Sequence, residues 1–343
     1  DARETVGRQL RLDAPVDVPG LRIVECHRAD QCELKAGHLP AGQPVRRDRG
    51  LRVLPGVEPR DLRDEGAVAS RLAYLLGTSR YVARILGRAP EALQLLADDE
   101  QLRPRTAPEI LAAMTDSAAR QGTAVDAVAV VRGVRRQELL RTAFADLLGL
   151  LGVTAVCDAI SATTTSTLDS VLRIARQAVG DEYGLTELPI SFALIAMGRL
   201  GGAEVGYGSD ADVMFVYDTP VRGDDDGNAA RIAHDVAERF RSLLAVPSSS
   251  DPPLAVDADL RPEGRNGPLV RSLASYTQYY SRWSSPWEAQ ALLRARFVAD
   301  DVALGTQFTA MIDKVRVPMD GIRPSDLLEI RRHVRVVAPE MHI

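Results

Sequence analysis

The sequence contains little lysine and few aromatic residues. Lys35 and Lys314 are the only lysines among 42 basic residues, and aromatic residues make up 5% of the 343-residue chain. With so few rings, the core must consist mostly of Leu, Val, Ile and Ala. The formal net charge is -5, whereas a dedicated duplex-DNA-binding protein usually presents a basic surface. We therefore expect no nucleic acid partner.

Cysteine is also scarce. An odd, sparse set, Cys26, Cys32 and Cys157, is typical of a reducing compartment and predicts a cytoplasmic location. Cys26 and Cys32 lie near His27 and His38. Their spacing matches none of the usual zinc patterns, in which two cysteines are roughly two to four residues apart. We interpret this segment as a loosely ordered arm and not as a zinc site.

Long apolar segments are missing as well. No run of about 18 apolar residues occurs, so we expect no membrane span. The first residues lack a charged segment followed by an apolar one, which indicates no signal peptide. Since the sequence does not begin with Met, we expect it to be a fragment of a longer protein.

Composition and hydrophobic spacing divide the chain into four predicted regions. Residues 1–65 are rich in Pro, Gly and Arg and predict a poorly packed arm. Residues 66–185 carry apolar side chains at helical spacing and predict a helical bundle. Residues 186–315 mix short apolar strands with helices and predict a domain with a small mixed sheet. Residues 316–343 begin another helical region, which the sequence truncates. The predicted fold class is α+β.

The second domain is predicted to contain three strands and two helical stretches. Apolar runs predict strands at 190–196, 212–217 and 254–257. Residues 228–244 predict an amphipathic helix. Residues 276–297 are predicted to be mostly helical, although Pro286 must break or restart the helix.

A glycine-rich turn lies between the first two predicted strands. Gly198, Gly201 and Gly202 follow the first strand, where a backbone without Cβ atoms can approach a phosphate closely and donate N–H groups. Gly208 and Ser209 come next and are predicted to hold phosphate as well. The glycines do not match the spacing of a dinucleotide-binding turn, so a Rossmann fold is not favoured.

Two aspartates follow this turn. Asp210 and Asp212 are two residues apart at the start of a strand, so their side chains share one face of the sheet. Two carboxylates on one face repel each other unless a cation lies between them, and Mg²⁺ prefers such oxygen ligands. Two such ions can hold the attacking and leaving oxygens of a phosphoryl displacement. Asp257 and Asp259 both offer a third carboxylate, and strand geometry does not choose between them.

Arginines near these aspartates are predicted to bind phosphate. Arg261 and Arg265 lie in a turn-rich loop after the third strand, and the planar guanidinium can donate two bonds to phosphate. Helical spacing places Trp287, Gln290 and Arg294 on one side of a helix that can border the cleft. Trp287 itself is predicted to belong to the core.

Four motifs together resemble the glutamine synthetase adenylyltransferase family, which belongs to the DNA polymerase beta-like nucleotidyltransferase superfamily. The resemblance covers about residues 70–335. The motifs are Gly198-Arg199-Leu200-Gly201-Gly202, Gly208-Ser209-Asp210-Ala211-Asp212, Leu260-Arg261-Pro262, and the segment 287–296 with Trp287-Glu288, Gln290-Ala291-Leu292 and Arg294-Ala295-Arg296.

The resemblance implies transfer of AMP from ATP, with Mg²⁺, to a tyrosine of glutamine synthetase. In this family one half of a long chain removes AMP and the other attaches it; the 205–209 and 287–292 segments look more like the attaching half. Asp210, Asp212 and Asp257 match the family's metal-binding acids. Asp259 stands where many relatives have arginine, which puts a phosphate role of that position in doubt. Regulation by the PII signalling protein is expected to depend on regions outside this sequence.

Two other functions stay open at this point. The same site can catalyse the reverse reaction, phosphorolytic removal of AMP from glutamine synthetase. A non-catalytic interaction module with the same fold is the second alternative. The intact Asp210–Asp212 pair argues against the module, because a protein without metal chemistry has no need for two repelling carboxylates.

Overall fold

The computed structural model describes residues 65–219, 226–248, 251–317, 321 and 323–337. The predicted arm, except for Glu65, lies outside these residues, as do Cys26, His27, Cys32 and His38. None of the helices in the described ranges is both long and apolar enough to cross a membrane.

Helices make up the first part of the described chain. The α-helices are α1 (Glu65–Thr78), α2 (Arg80–Leu86), α3 (Ala107–Ala118), α4 (Ala124–Leu147) and α5 (Val153–Tyr183), with 3-10 turns at Pro90–Ala97 and Asp99–Leu102. Local signals in the sequence begin and end them. The Ser79 hydroxyl accepts a hydrogen bond from the Val82 N–H at the start of α2, as helix-capping residues do. α5 ends at Tyr183 and is followed by Gly184, whose φ of 67° lies in the left-handed region that favours glycine.

A five-stranded mixed sheet follows, with helices around it. The strands are β1 (Ser191–Ala196), β2 (Ala211–Asp218), β3 (Val256–Asp257), β4 (Val270–Ser272) and β5 (Arg296–Asp300). β1 pairs antiparallel with β2 and β5, while β2 also pairs in parallel with β3 and β4. The helices are α6 (Gly198–Gly201), α7 (Asp226–Ala245), α8 (Leu273–Trp283), α9 (Pro286–Leu292), α10 (Val302–Arg316) and α11 (Pro324–Val337). The predicted α+β fold class is confirmed.

Alternating residues of β1 and β2 supply the apolar cores on the two faces of the sheet. Phe192 and Phe215 face a core that includes Phe240 of α7 and residues of α5. Ile195 and Met214 face a second core with the α8 and α10 side chains. Because the sheet is covered on both faces, β1 is almost entirely apolar, as expected for a buried strand.

The 276–297 segment is mostly helical, as predicted, and a new helix begins at Pro286, but its last residues and the predicted helix face with Arg294 differ from the prediction. The segment does not stay helical to its end, because residues 296–297 belong to β5, which pairs with β1. α9 ends at Leu292, so Arg294 does not lie on a common helix face with Trp287 and Gln290. Pairing with β1, a contact distant in sequence, decides the conformation here, and helical spacing alone does not reveal it.

The third predicted strand is shorter than expected. Only Val256 and Asp257 of the 254–257 segment pair as β3, and they pair with Ala211 and Asp212. This short ladder lies at the start of β2 and brings the two acidic segments of the sequence side by side.

A candidate divalent metal and nucleotide site

Three aspartates from two segments meet at the start of β2. Asp210 immediately precedes β2, Asp212 is its second residue, and Asp257 pairs with Asp212 in the β2–β3 ladder. One carboxylate oxygen from each lies within 4.8 Å of the other two, and among the described residues no other group of three His, Cys, Asp or Glu side chains comes so close. The structure therefore brings together the three residues predicted as metal ligands, and their role as ligands stays a prediction.

Asp259, the alternative third acid, is held by other partners. Its carboxylate pairs with the guanidinium of Arg265 and lies 3.5 Å from that of Arg261. Its backbone N–H donates to Asp257 Oδ1 at 2.7 Å, which orients the Asp257 carboxylate. Asp259 thus supports the loop, while Asp257 joins Asp210 and Asp212.

The three carboxylates have an excess of negative charge. The pKa of Asp212 is raised to about 6, first by burial and then by the charges of Asp210 and Asp257; the guanidinium of Arg199 acts in the opposite direction. All the candidate ligand atoms are carboxylate oxygens, and the group contains no histidine or cysteine. This donor set fits a hard cation such as Mg²⁺, since oxygen ligands are the ones it prefers in proteins.

Two glycines of the predicted phosphate turn are required by protein contacts. Gly198 has a φ of 51°, and a Cβ there would lie 2.1 Å from Asp212 Oδ2. A Cβ at Gly201 would lie 2.0 Å from the carbonyl oxygen of Arg294. Glycine at these two positions therefore lets the turn pack against the Asp212 side chain and against the chain before β5. Gly202 is exposed, so its backbone is accessible to a ligand.

A second turn leads into the acidic segment. The Ser209 hydroxyl accepts a hydrogen bond from the Gly206 N–H at 3.0 Å, and the Ser209 N–H donates to the Gly206 carbonyl at 3.1 Å. Gly208 lies at the surface of this turn. The hydrogen bonds fix the chain just before Asp210, and the predicted contact of Gly208 and Ser209 with phosphate stays a prediction.

The predicted phosphate-binding arginines have different environments. Arg261 is buried and donates to the backbone carbonyls of Ala258, Gly267 and Pro268, so it holds its own loop together. The Arg265 side chain is 84% exposed beside Asp259. Arg294 Nη1 lies 2.7 Å from Glu204 Oε2. Of these three arginines, Arg265 and Arg294 have the exposure that a phosphate contact needs.

Arg199 is a site residue that the sequence reasoning did not select. Its Nη2 lies 3.3 Å from Asp210 Oδ1, which places a cation beside the three carboxylates. The signal was available, because Arg199 directly follows Gly198 in the glycine-rich turn. Its side chain is about half exposed, and it can therefore turn toward a bound anion.

We predict that Gly198→Ala weakens divalent metal binding. A left-handed φ costs a residue with a Cβ roughly 1–2 kcal/mol, and the added methyl group would displace the Asp212 carboxylate. Isothermal titration with Mn²⁺ measures the effect. Gly122→Ala is the control, since a Cβ at Gly122 meets no atom within 4 Å. Equal Mn²⁺ affinity for both variants would contradict this role of Gly198.

We also predict that Asp212→Asn stabilises the metal-free protein in a pH-dependent way. The folded-state pKa of Asp212 is about 6, above its ordinary 3.8, so the carboxyl favours folding only where it is protonated. The contribution of the protonated carboxyl to the free energy of unfolding is complete below about pH 4 and is lost as the pH rises through about 6. The variant should therefore melt higher than the parent above about pH 6, and the difference should vanish near pH 4. Melting scans in a chelator test this, and a difference independent of pH would contradict it.

Comparison with known proteins identifies relatives of this chain. The family model described as glutamate-ammonia ligase adenylyltransferase matches residues 69–311. The chain is 52% identical over 279 residues to the bifunctional glutamine synthetase adenylyltransferase/adenylyl-removing enzyme of Mycobacterium avium strain 104. This alignment covers 79% of this chain and 28% of the relative. Proteins of the same name in Mycobacterium tuberculosis strain H37Rv and Nocardia farcinica are 50% and 48% identical over 276 and 277 residues.

The matched region includes both the helical part and the sheet that carries the three carboxylates. The M. tuberculosis and N. farcinica proteins cover 79% and 80% of this chain, which spans 27% of the length of each. This chain therefore spans just over a quarter of the length of the curated relatives it matches. On the extent of the family match and on these identities, the chain belongs to the glutamate-ammonia ligase adenylyltransferase family.

Proposed function

We propose that this chain transfers AMP from ATP to a tyrosine hydroxyl of glutamine synthetase and releases pyrophosphate. The observation that carries the proposal is the meeting of Asp210, Asp212 and Asp257 within 4.8 Å, in a member of a family named for this reaction. The names of the relatives include both attachment and removal of AMP.

In this proposal the three aspartates hold Mg²⁺. When bound, the metal would supply positive charge to the triphosphate and lower the cost of forming the tyrosine oxyanion. The tyrosine oxygen attacks the α-phosphorus of ATP, the bond from that phosphorus to the bridging oxygen breaks, and pyrophosphate leaves. A carboxylate of the group accepts the tyrosine proton.

The residues around the carboxylates would bind the triphosphate. Arg265 and Arg294 are exposed enough to reach a ligand, and guanidinium groups suit phosphate. Arg199, now beside Asp210, is released when a cation neutralises that carboxylate and then becomes available to phosphate. Gly202, after α6, and Gly208, in the turn before β2, are exposed, so their backbones are also accessible to phosphate.

The direct test uses ATP labelled on the α-phosphate. Incubated with Mg²⁺ and unmodified glutamine synthetase, the chain should label glutamine synthetase, and Asp210→Asn or Asp212→Asn should reduce labelling by about a hundredfold or more. Asp116→Asn, an exposed aspartate on α3, is the matched control. Near-normal labelling by both site variants would contradict the assignment.

AMP removal is distinguished by a parallel assay. In this assay phosphate replaces ATP, and glutamine synthetase that already carries AMP replaces the unmodified protein. Release of ADP, with no labelling in the forward assay, would assign this chain to the removing activity instead. We expect the forward assay to be positive, because the sequence forms at 205–209 and 287–292 look more like the attaching half of the family.

We predict that Asp257, and not Asp259, sets the metal dependence of the reaction. Asp257→Ala removes one of the three clustered carboxylates, whereas Asp259→Ala releases Arg265 and leaves the cluster intact. AMP transfer by Asp257→Ala should therefore require a higher Mg²⁺ concentration, and transfer by Asp259→Ala should keep the parent's requirement. A raised requirement in Asp259→Ala alone would contradict the choice of Asp257.

We further predict that this chain binds ATP but that PII and glutamine do not change its rate of AMP transfer. The proposed nucleotide contacts all lie between residues 198 and 294, whereas docking of a large protein partner needs a wide surface. Calorimetry should detect ATP binding with Mg²⁺, while AMP transfer should be slow and unchanged by PII or glutamine. Fast transfer that either effector switches would show that the regulatory surface lies within this chain.

A further inference from the structure

Helix α4 contacts both loops that lead to the three carboxylates. Arg135 and Asp146 lie on α4 about three helical turns apart, so their side chains share a face. Asp146 contacts the loop before β2, which carries Asp210. Arg135 contacts the segment before β3, which carries Asp257.

The first contact joins α4 to the turn before Asp210. The hydroxyl of Tyr207 donates a hydrogen bond to Asp146 Oδ2 at 3.0 Å. The Tyr207 ring packs on that of Tyr81 from α2, with 5.1 Å between the ring centroids. Burial and the Asp146 charge both raise the pKa of the Tyr207 hydroxyl, which therefore keeps its proton and remains a donor. Tyr207 lies inside the tight turn that ends at Ser209, next to Asp210.

A second bond from the bundle reaches the same loop. The backbone N–H of Val205 lies 3.4 Å from the hydroxyl oxygen of Ser161 on α5, and the Val205 side chain is buried in the core. Both ends of the segment from Val205 to Tyr207 are thus attached to the helical bundle. The turn attached in this way sets the position of Asp210, whose carboxylate is exposed.

Two arginines of α4 hold the segment before Asp257. The buried Arg135 donates from Nη1 to the Pro252 carbonyl at 2.7 Å. Arg136, its neighbour, forms an ion pair with Asp251. Burying a guanidinium is unfavourable unless its N–H groups find acceptors, so breaking the hydrogen bond to the Pro252 carbonyl would destabilise the folded protein. This hydrogen bond fixes the chain a few residues before Asp257.

We propose that Asp146 is a positioning residue, which sets the position of the Asp210 carboxylate through Tyr207, while the Asp257 segment is held on the same helix by the Arg135 contact with Pro252. The inference rests on the proposed metal site and extends it to the bundle. The three carboxylates repel one another, so a loop released from α4 would let Asp210 move away from the others. Metal binding would then have to bring it back, and the affinity would fall.

The test removes the Tyr207–Asp146 hydrogen bond from either side. Tyr207→Phe keeps the ring against Tyr81, and Asp146→Ala removes the acceptor. Each should raise the dissociation constant for Mn²⁺ about five- to tenfold, the effect of one lost hydrogen bond. Mn²⁺ alone is the probe, and the loss of the free-ion paramagnetic resonance signal measures binding. The melting temperature of each variant reports folding separately.

Two further variants separate positioning from general stability. Asp146→Asn keeps an amide oxygen that can accept from Tyr207, so it should bind Mn²⁺ nearly as well as the parent. Combining Tyr207→Phe with Asp146→Ala should weaken binding no further than either change alone, since both remove the same bond. Tyr183→Phe is the control, because it removes the bond from the Tyr183 hydroxyl to Asp235 Oδ2, 2.7 Å between α5 and α7. It should leave the Mn²⁺ affinity unchanged.

The outcomes distinguish this inference from the proposed function. A parent protein that binds Mn²⁺, with Tyr207→Phe and Asp146→Ala binding it equally well, would overturn the positioning role alone. Equal weakening by Tyr207→Phe and Tyr183→Phe would also overturn it, since the effect would then be one of general stability. A parent protein that binds no Mn²⁺ would overturn the metal site and the positioning role together.

Discussion

Asp210, Asp212 and Asp257 bring three like charges together at the start of β2, and the surrounding structure has to hold them there against their mutual repulsion. Two unit charges about 4 Å apart repel by roughly 1 kcal/mol in water and by several times more near a protein surface. One carboxylate oxygen from each of Asp210, Asp212 and Asp257 lies within 4.8 Å of the other two, and the pKa of Asp212 is raised first by its burial and then by this repulsion. Arg199 supplies partial compensation beside Asp210. A divalent cation would neutralise the cluster more completely.

The fold opposes this repulsion with backbone pairing and buried contacts. β2 is paired on both edges, which fixes Asp212 against Asp257. The glycine at position 198 leaves room for the Asp212 carboxylate. The bundle holds the incoming loops through Asp146 and Arg135. In this account the helical bundle and the sheet form one working unit, since the carboxylates lie on the sheet while part of their support lies on α4.

Sequence patterns predicted the fold class and the grouping of Asp210 and Asp212, because strand periodicity and a two-residue spacing are local. They did not choose between Asp257 and Asp259, which depends on pairing of β3 with β2. β5 was missed for a similar reason, since its pairing with β1 is a contact distant in sequence. The burial of Arg261 among loop carbonyls was equally invisible, because an arginine that stabilises its own loop and one that binds phosphate look alike in sequence.

We propose that Asp210, Asp212 and Asp257 jointly hold a divalent cation. Anomalous X-ray scattering from crystals of this chain grown with Mn²⁺ and ATP tests it most directly, since the peak locates the ion independently of any activity. We expect a peak within coordination distance of oxygens from all three aspartates, at the start of β2. An ordered nucleotide with no anomalous peak among these carboxylates would contradict it.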